Sequence, residues 1–500
     1  MEGLERWYPF AVLAAGLAVV LGGIVVARVN AFLALIAAAL VVSFMAGAGA
    51  ASPQAVVDPV GRVVDAFGAT AGAIGVTIAL AAIIGDAMMR SGAADRIVRM
   101  FLDVLGEKRA GTALMGSGYV LSIPVFFDTT FYLLVPLARS LYRNTHRHYL
   151  KYLAAISAGG VATHALVPPT PGPLFVANIL DVNLGVMIGV GVLVALPASV
   201  AGLALGTFLD KRGPLQPNSE PPEEAASTAS APPVPPPSLL VALLPIVLPI
   251  VLIAGDAAVK ALAQQQLVAA DAQARLLRGD DLTRALLAAG DAGQGPAALY
   301  RWSRVLGNPN LALLISAAVA LTLLWTRRRS LTLQIAQIVE GALMSAGVII
   351  LITAAGGAFG AMLRAAGLGD AIKGLAEAAG GGSPTLLSGL PLLALAFVVS
   401  SVIKFAQGSS TTAMIVTSGM LVAMVDVTSL AFHPVYLALS VGAGSLVGSW
   451  MNDSGFWIFA KMGGVSELAT LRSWTPVLAT VGAVAFATIV VLAWAMPMKP

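Results

Sequence analysis

Near its end, a hydrophobic part of the chain carries Gly444-Ser445-Leu446-Val447-Gly448-Ser449-Trp450-Met451-Asn452-Asp453-Ser454-Gly455-Phe456-Trp457. In a membrane helix, Asn, Asp, Ser and Gly side by side leave backbone groups unpaired and put a charge at the level of hydrocarbon. Such a break survives only where protein buries it or a polar cavity bathes it. The chemistry offered is recognition of something polar: hydroxyls that donate and accept, a carboxylate, and glycines that let backbone come close. A second interruption reads Thr163-His164-Ala165-Leu166-Val167-Pro168-Pro169-Thr170-Pro171-Gly172-Pro173. Its prolines cannot continue a helix, since each lacks an N–H and clashes with the preceding turn. Two further polar clusters sit in apolar surroundings, Ser122-Ile123-Pro124-Val125-Phe126-Phe127-Asp128-Thr129-Thr130 and Lys404-Phe405-Ala406-Gln407-Gly408-Ser409-Ser410-Thr411-Thr412.

Half-helices that begin at such breaks present free N–H groups and positive dipole ends, which suit an anion such as a carboxylate. The residues able to hold it are Thr129, Thr130, His164, Thr170, Lys404, Gln407, Gly408, Ser409, Ser410, Thr411, Asn452, Asp453 and Ser454. Duller readings stand beside these. Ser and Thr in apolar helices usually bond back to a carbonyl one turn earlier, and His164 reads equally as a packed helix residue. Lys404 can neutralise an anion, snorkel to the surface or pair with an acid. Asp86 and Arg90 have the i,i+4 spacing of an ion pair at a membrane edge.

Asp128 and Asp453 are harder to dismiss, because a carboxylate at mid-membrane is costly and functional by default. Either carboxyl can take up and release a proton. Asp453 lies among Asn452, Ser454 and N–H groups that stabilise its ionised form. Asp128 lies beside Phe126, Phe127 and Phe131, a setting that favours the neutral acid, so Asp128 is the preferred carrier. No cofactor or metal site is expected.

The elements around these groups belong to a membrane. With 58% hydrophobic and 11% charged residues and a mean hydropathy of +0.87, the chain lies far from soluble domains, where charge runs at about 25%. Apolar runs long enough to span cover 9–27, 30–50, 70–89, 184–208, 239–256, 308–326, 338–363 and 474–496. The first run follows Glu2, Glu5 and Arg6 and no cleavage site ends it, so it reads as a retained span. The chain has no cysteine, hence no disulfide and no thiolate metal site. Its pI of 9.4 reflects a few Lys and Arg at membrane edges, which gives a nucleic-acid partner no support.

Basic residues orient the chain. With Arg28, Arg90–Arg109, Arg139–Lys151, Lys211/Arg212, Arg327–Arg329, Lys461 and Arg472 in the cytoplasm, both termini lie outside. The stretch 110–142 then has basic flanks on both sides and must enter and leave on one face, as a re-entrant hairpin. A second hairpin over 385–424 opens outward. Gly85, Gly92, Asp95 and Ile97 share their spacing with Gly360, Gly367, Asp370 and Ile372, and Tyr152-Leu153-Ala154, Gly160 and Thr170 share theirs with Tyr436-Leu437-Ala438, Gly444 and Ser454. The predicted fold is therefore an all-α polytopic membrane protein of two inverted-topology repeats, each with a re-entrant hairpin and an interrupted transmembrane helix. The halves are 1–208, with its broken helix over 149–178, and 239–500, with its broken helix over 432–460. A Pro-rich cytoplasmic linker, 209–238, joins them. An extracytoplasmic insert, 257–304, shows helical apolar spacing at Leu276, Leu277, Leu282, Leu286 and Leu287.

Five of these segments resemble the signatures of the gluconate permease (GntP-type) family: Ile123-Pro124-Val125-Phe126-Phe127-Asp128, Pro168-Pro169-Thr170-Pro171-Gly172-Pro173, Gly356-Gly357-Ala358-Phe359-Gly360, Ala406-Gln407-Gly408-Ser409-Ser410-Thr411 and Asn452-Asp453-Ser454-Gly455-Phe456-Trp457. The resemblance runs in order from about 74 to 475. It implies a proton-coupled symporter in the bacterial inner membrane that takes up gluconate or a related small hydroxy-carboxylate. Through the wider ion-transporter superfamily it implies a scaffold domain, a transport domain that moves as an elevator, and a homodimer. The chain departs from the family pattern at Thr170 and Trp450, where the family commonly has His. Two lost imidazoles remove groups that titrate near neutral pH, and the indole adds volume, which brings a smaller hydroxy acid into view. The rival readings are a sodium-coupled carboxylate transporter, an anion channel and, remotely, an intramembrane aspartyl protease using Asp128 with Asp453 or Asp86. The protease pattern Gly-x-Gly-Asp is incomplete at Ile83-Ile84-Gly85-Asp86.

Overall fold

The computed structural model describes residues 2–27, 29–48, 58–216, 237–270, 279–291, 295–327, 334–367, 371, 389–425, 430–451 and 453–498. Their regular structure is helical throughout. Helix α1 (Glu2–Leu21) runs into a π turn, Gly22–Val26, and is followed by α2 (Ala31–Ala48), α3 (Pro59–Arg90) and α4 (Ala93–Leu105). Next come α5 (Ala110–Leu121), α6 (Phe127–Thr145), α7 (Tyr149–Leu166), α8 (Pro171–Ile179) and α9 (Leu184–Arg212). The second half holds α10 (Leu239–Ala270), α11 (Gly279–Asp291), α12 (Gly295–Leu306), α13 (Pro309–Arg327) and α14 (Ile335–Ala365). It ends with α15 (Leu390–Gln407), α16 (Ser410–Met424), α17 (Pro434–Gly444), α18 (Ser454–Gly463) and α19 (Glu467–Ala495).

Seven segments are long and apolar enough to cross a membrane: α3, α7 with α8, α9, α10, α13, α14 and α19. Helices α1, α2, α15, α16 and α17 are apolar but shorter. Helix α9 continues past residue 208 to Arg212, where Lys211 and Arg212 occupy its last turn, a place that favours cations. The remainder of the linker, 217–236, lies outside the described residues, as do 385–388 of the second hairpin and Asp370 and Ile372 of the first sequence echo.

Four interruptions shape the middle of the molecule. Helices α5 and α6 meet at a turn over 122–126, and α15 and α16 meet at Gly408-Ser409. Gly408 ends α15 with φ +88°, its N–H donating to Lys404 O at 2.8 Å. That left-handed geometry suits glycine, which has no Cβ to clash. The proline run separates α7 from α8, and 445–453 separates α17 from α18. Ser409 and Asp453 cap the helices that follow, accepting from Thr412 N and Gly455 N. The α7–α8 element is almost wholly buried in protein, the condition under which a broken helix is tolerated at membrane depth.

The helices sort into two packed groups. Helices α5, α6, α7, α9, α17 and α19 share the largest apolar cluster, with Leu114, Phe131, Leu153, Val194, Leu437 and Val481 at its centre. Helices α1 and α2 pack with α14 and α16 through Val12, Leu35, Val42, Phe359 and Val416. Helix α3 lies against α14, with Thr70 beside Gly357 and Ile350 beside Gly75, so the two run antiparallel. In the insert, α11 and α12 fold onto the extension of α10 through Ala263, Leu282, Leu286, Ala297 and Tyr300. Leu276 and Leu277 lie outside the described residues.

Between apolar helices in lipid, association depends on close packing of small residues. Gly118 on α5 faces the backbone of Ile156 and Gly160 on α7, and Gly159 faces Met115 and Tyr119. Any Cβ at Gly159 would sit inside the contact distance of the Met115 carbonyl. Gly189 on α9 has open space around it. Gly159→Ala is expected to lower the unfolding midpoint, because overpacking costs about 1–3 kcal/mol and exceeds the gain of roughly 1 kcal/mol in helix propensity. Gly189→Ala should leave the midpoint unchanged or raise it. Thermal unfolding of both purified variants checks the pair, and equal midpoints would contradict the packing.

Candidate functional site

The four interruptions meet. A cavity of about 370 Å³ is lined by Phe126 to Thr129 from the first tip, His164 and Pro171 from the first broken helix, Ser409 to Thr411 from the second tip, and Asp453 to Gly455 from the second break. His164 lies in the last turn of α7, while the other segments open helices, so the N-termini of α6, α8, α16 and α18 face one space. Each such end favours a nearby negative charge by roughly 0.3–2 kcal/mol. Among the described residues no Lys or Arg lines this cavity. Helix ends and hydroxyls are what it offers an anion.

The hydroxyls divide into spent and available. Ser409 Oγ caps α16 and accepts from Thr412 Oγ1 at 3.0 Å, and Ser410 Oγ donates to Ser445 O at 2.9 Å. Thr129, Thr411 and Ser454 line the cavity and make no side-chain hydrogen bond among the described residues. Thr170 lies off the cavity, its hydroxyl 2.8 Å from His164 O and 2.7 Å from Val167 O. Thr130 is fully buried, and its hydroxyl has no partner among the described residues. His164 lines the cavity edge-on to Phe126, with ring centroids 6.2 Å apart, and its Nδ1 is buried without a partner among the described residues. Asn452 and the Gln407 side chain lie outside the described residues.

The two aspartates differ sharply. Asp453 Oδ2 accepts from Lys404 Nζ at 2.7 Å and from Ser449 Oγ, while Oδ1 accepts from Gly455 N at 2.9 Å. Lys404 is 1% exposed and also donates to Gly408 O. Of the three readings open for Lys404, the structure selects the ion pair with an acid. Trp474 Nε1 donates to Ser449 Oγ at 2.6 Å, which fixes the far side of the network. Lys404 thus ties the second tip to the second break from behind the cavity wall. Asp128 lines the cavity with no hydrogen bond or ion pair among the described residues.

Several features fall outside what the residue patterns indicated. Trp474, Leu478, Ser345 and Ile349 also line the cavity, with Val161, Ala165 and Leu446. Ser449 stands four residues before Asp453, a spacing that could have marked it as a partner. Ser345 and Ile349 sit in an apolar helix with no local signal. Trp450 stacks on Phe405, centroids 5.4 Å apart, and donates from Nε1 to Phe405 O at 3.0 Å. Its indole does not line the cavity, so the volume it adds narrows nothing there. Asp86 and Arg90 form the i,i+4 pair, Nε to Oδ2 2.9 Å.

Removing one partner of a buried ion pair costs about 3–5 kcal/mol, whereas removing both costs much less. Lys404→Met is therefore expected to lower the unfolding midpoint strongly, and adding Asp453→Asn should restore part of the loss. A double variant no more stable than Lys404→Met alone would contradict the coupling.

Comparison with known proteins agrees with this geometry. The profile described as GntP family permease matches residues 8–496. The gluconate permease of Pseudomonas aeruginosa is 31% identical over 453 residues, covering 90% of this chain and 89% of that protein. The low-affinity gluconate transporter of Escherichia coli is 30% identical over 464 residues, covering 92% and 93%. The crystal structure of the Alcanivorax borkumensis YdaH transporter shares the fold, with a TM-score of 0.55 at 15% identity over 94% of this chain and 99% of that one. An all-helical membrane chain with polar helix ends around one cavity, matched by this profile over nearly its whole length, belongs to the GntP family of permeases.

Proposed function

We propose that this permease takes up gluconate or a related small hydroxy-carboxylate by proton-coupled symport. The observation that carries the reading is the meeting of four helix N-termini in one cavity walled by hydroxyls and, among the described residues, no basic side chain. The relatives named for gluconate give the substrate class. A polyhydroxy acid needs a seat for one negative charge and both donors and acceptors for its hydroxyls. Helix ends supply the first, and Thr129, Thr411 and Ser454 supply the second. Losing one hydrogen bond to a charged ligand costs roughly 1.5–3 kcal/mol, or about ten- to a hundredfold in affinity. Thr411→Val and Ser454→Ala should each weaken gluconate binding by that factor, as read by calorimetry. Unchanged affinity in both variants would move the substrate elsewhere.

Asp128 is the proposed proton carrier. Its carboxyl faces the cavity without a hydrogen-bond or ion-pair partner among the described residues, so it can take up and release a proton without breaking any of the contacts described. Asp453, tied to Lys404, Ser449 and Gly455, would have to break several. A proton on Asp128 and an anion beside it stabilise one another, which links the two binding events. Asp128→Asn is expected to abolish gluconate accumulation driven by a pH gradient while exchange of labelled gluconate continues. Accumulation that survives the substitution overturns the assignment, and accumulation that needs sodium at constant pH replaces the proton. Counterflow overshoot from preloaded vesicles separates a carrier from an anion channel.

The movement proposed is an elevator, with the hairpins and broken helices carrying the site past a scaffold, in a homodimer of the bacterial inner membrane with both termini outside. Supporting it, the order long helix, hairpin, broken helix, long helix occurs twice, as α3, α5–α6, α7–α8, α9 and as α14, α15–α16, α17–α18, α19. The first members of the two sets run antiparallel, as inverted repeats require. On this reading 1–208 and 239–500 are the repeat halves, with 209–238 a cytoplasmic linker.

A further inference from the structure

The central cavity continues beyond the first tip. A second cavity of about 300 Å³ shares Phe126, Thr129 and Ser345 with it. This space runs between α3 and α14, past Ala82 and Gly341, and ends at Asp86, Arg90 and Gln337. The Arg90 side chain is 51% exposed and that of Asp86 30% exposed. Arg90 is the one Lys or Arg that lines either cavity among the described residues. An anion travelling between water at this end and the four helix N-termini must pass its guanidinium.

We propose that Arg90, with Gln337, forms a carboxylate-docking subsite in a cytoplasmic exit vestibule separate from the central site. This rests on reading the chain as a carboxylate transporter. A solute leaving the central site past Thr129 and Ser345 places its carboxylate on the guanidinium in place of Asp86, then passes to the cytoplasm. A planar guanidinium matches a carboxylate as a two-pronged donor, and the Gln337 amide adds N–H donors for the same ligand. The resident pair is solvent-exposed, and exposed ion pairs contribute little, so exchanging one carboxylate for another on Arg90 costs little. Asp86 returns to the guanidinium once the solute moves on, which keeps the cation from holding its passenger.

The absence of cysteine from the chain makes the vestibule directly testable. Gly341 is exposed on its wall, and a Cβ there meets nothing within 4 Å. In a Gly341→Cys protein, the thiol should react with both an anionic sulfonate and a cationic ammonium reagent of similar size. A single focused charge changes such encounter rates by about tenfold. Arg90→Gln should therefore lower the anionic-to-cationic rate ratio by about tenfold, and Asp86→Asn should raise it. An unchanged ratio in Arg90→Gln overturns the subsite, as does a thiol that reacts with neither reagent. Gluconate should also slow labelling, with a half-protecting concentration that rises in Arg90→Gln. If the charge preference follows Arg90 while gluconate never protects, the anion subsite stands and gluconate falls as its ligand.

Discussion

Backbone that leaves a helix inside a membrane has N–H and C=O groups that lipid cannot satisfy, and the cost is several kcal/mol for each one left unpaired. Among the described residues the chain has four such places, at 122–126, 167–170, 408–409 and 445–453. Caps from Ser409 and Asp453 satisfy part of the demand. Burial of α7–α8 and α17 among other helices removes lipid from the rest. The segments that begin α6, α8, α16 and α18 line one cavity. Glycines at 118, 159, 202 and 206 let α5, α7 and α9 approach at backbone distance, which closes the wall behind the first break.

The charges follow from the same constraint. An Asp capping a helix at membrane depth is stable only if its charge is matched, and Lys404 provides the match at 2.7 Å. The pair leaves little net charge near the site, so the attraction for an anion rests on helix dipoles rather than on a fixed cation. A lysine exposed in the cavity would bind the anion in every state and hold it there. A buried one, held by Asp453 and Gly408 O, instead fixes the tip and the break relative to each other. That places the α16 and α18 N-termini side by side.

Much of this was legible in the sequence, for physical reasons. The apolar runs marked the long helices because hydrocarbon demands length. The prolines at 168–173 and the polar cluster at 452–455 marked the breaks because neither residue set continues a membrane helix. Convergence of the breaks could be anticipated, since unpaired backbone must share a polar space. Side-chain partners could not. Lys404 had three equivalent futures until Asp453, far along the chain, was seen beside it. Ser345 and Trp474 carry no local pattern, because each is placed by packing between distant helices. Thr170 looked like a ligand by its setting among prolines, yet its hydroxyl is spent on two carbonyls of the same turn. Trp450 looked like lost room, yet its indole turns to Phe405.

The division between fixed and available groups explains how one site could both hold its shape and exchange its contents. Asp453, Ser409, Ser410 and Thr170 give their polar atoms to backbone or to Lys404, and removing any of them disturbs the frame. Thr129, Thr411, Ser454 and Asp128 face the cavity without such duties among the described residues. A transported solute must be released as readily as it is bound, so its ligands cannot also be structural. A group that breaks an internal bond each time it binds would carry that cost through every cycle. Ser409, Thr170 and Asp453 sit just before a helix begins and Ser410 at its first position, while Asp128, Thr129, Thr411 and Ser454 lie within the first turns. In a membrane, where backbone geometry at a break is so tightly constrained, that offset of a residue or two separates holding the site from serving it.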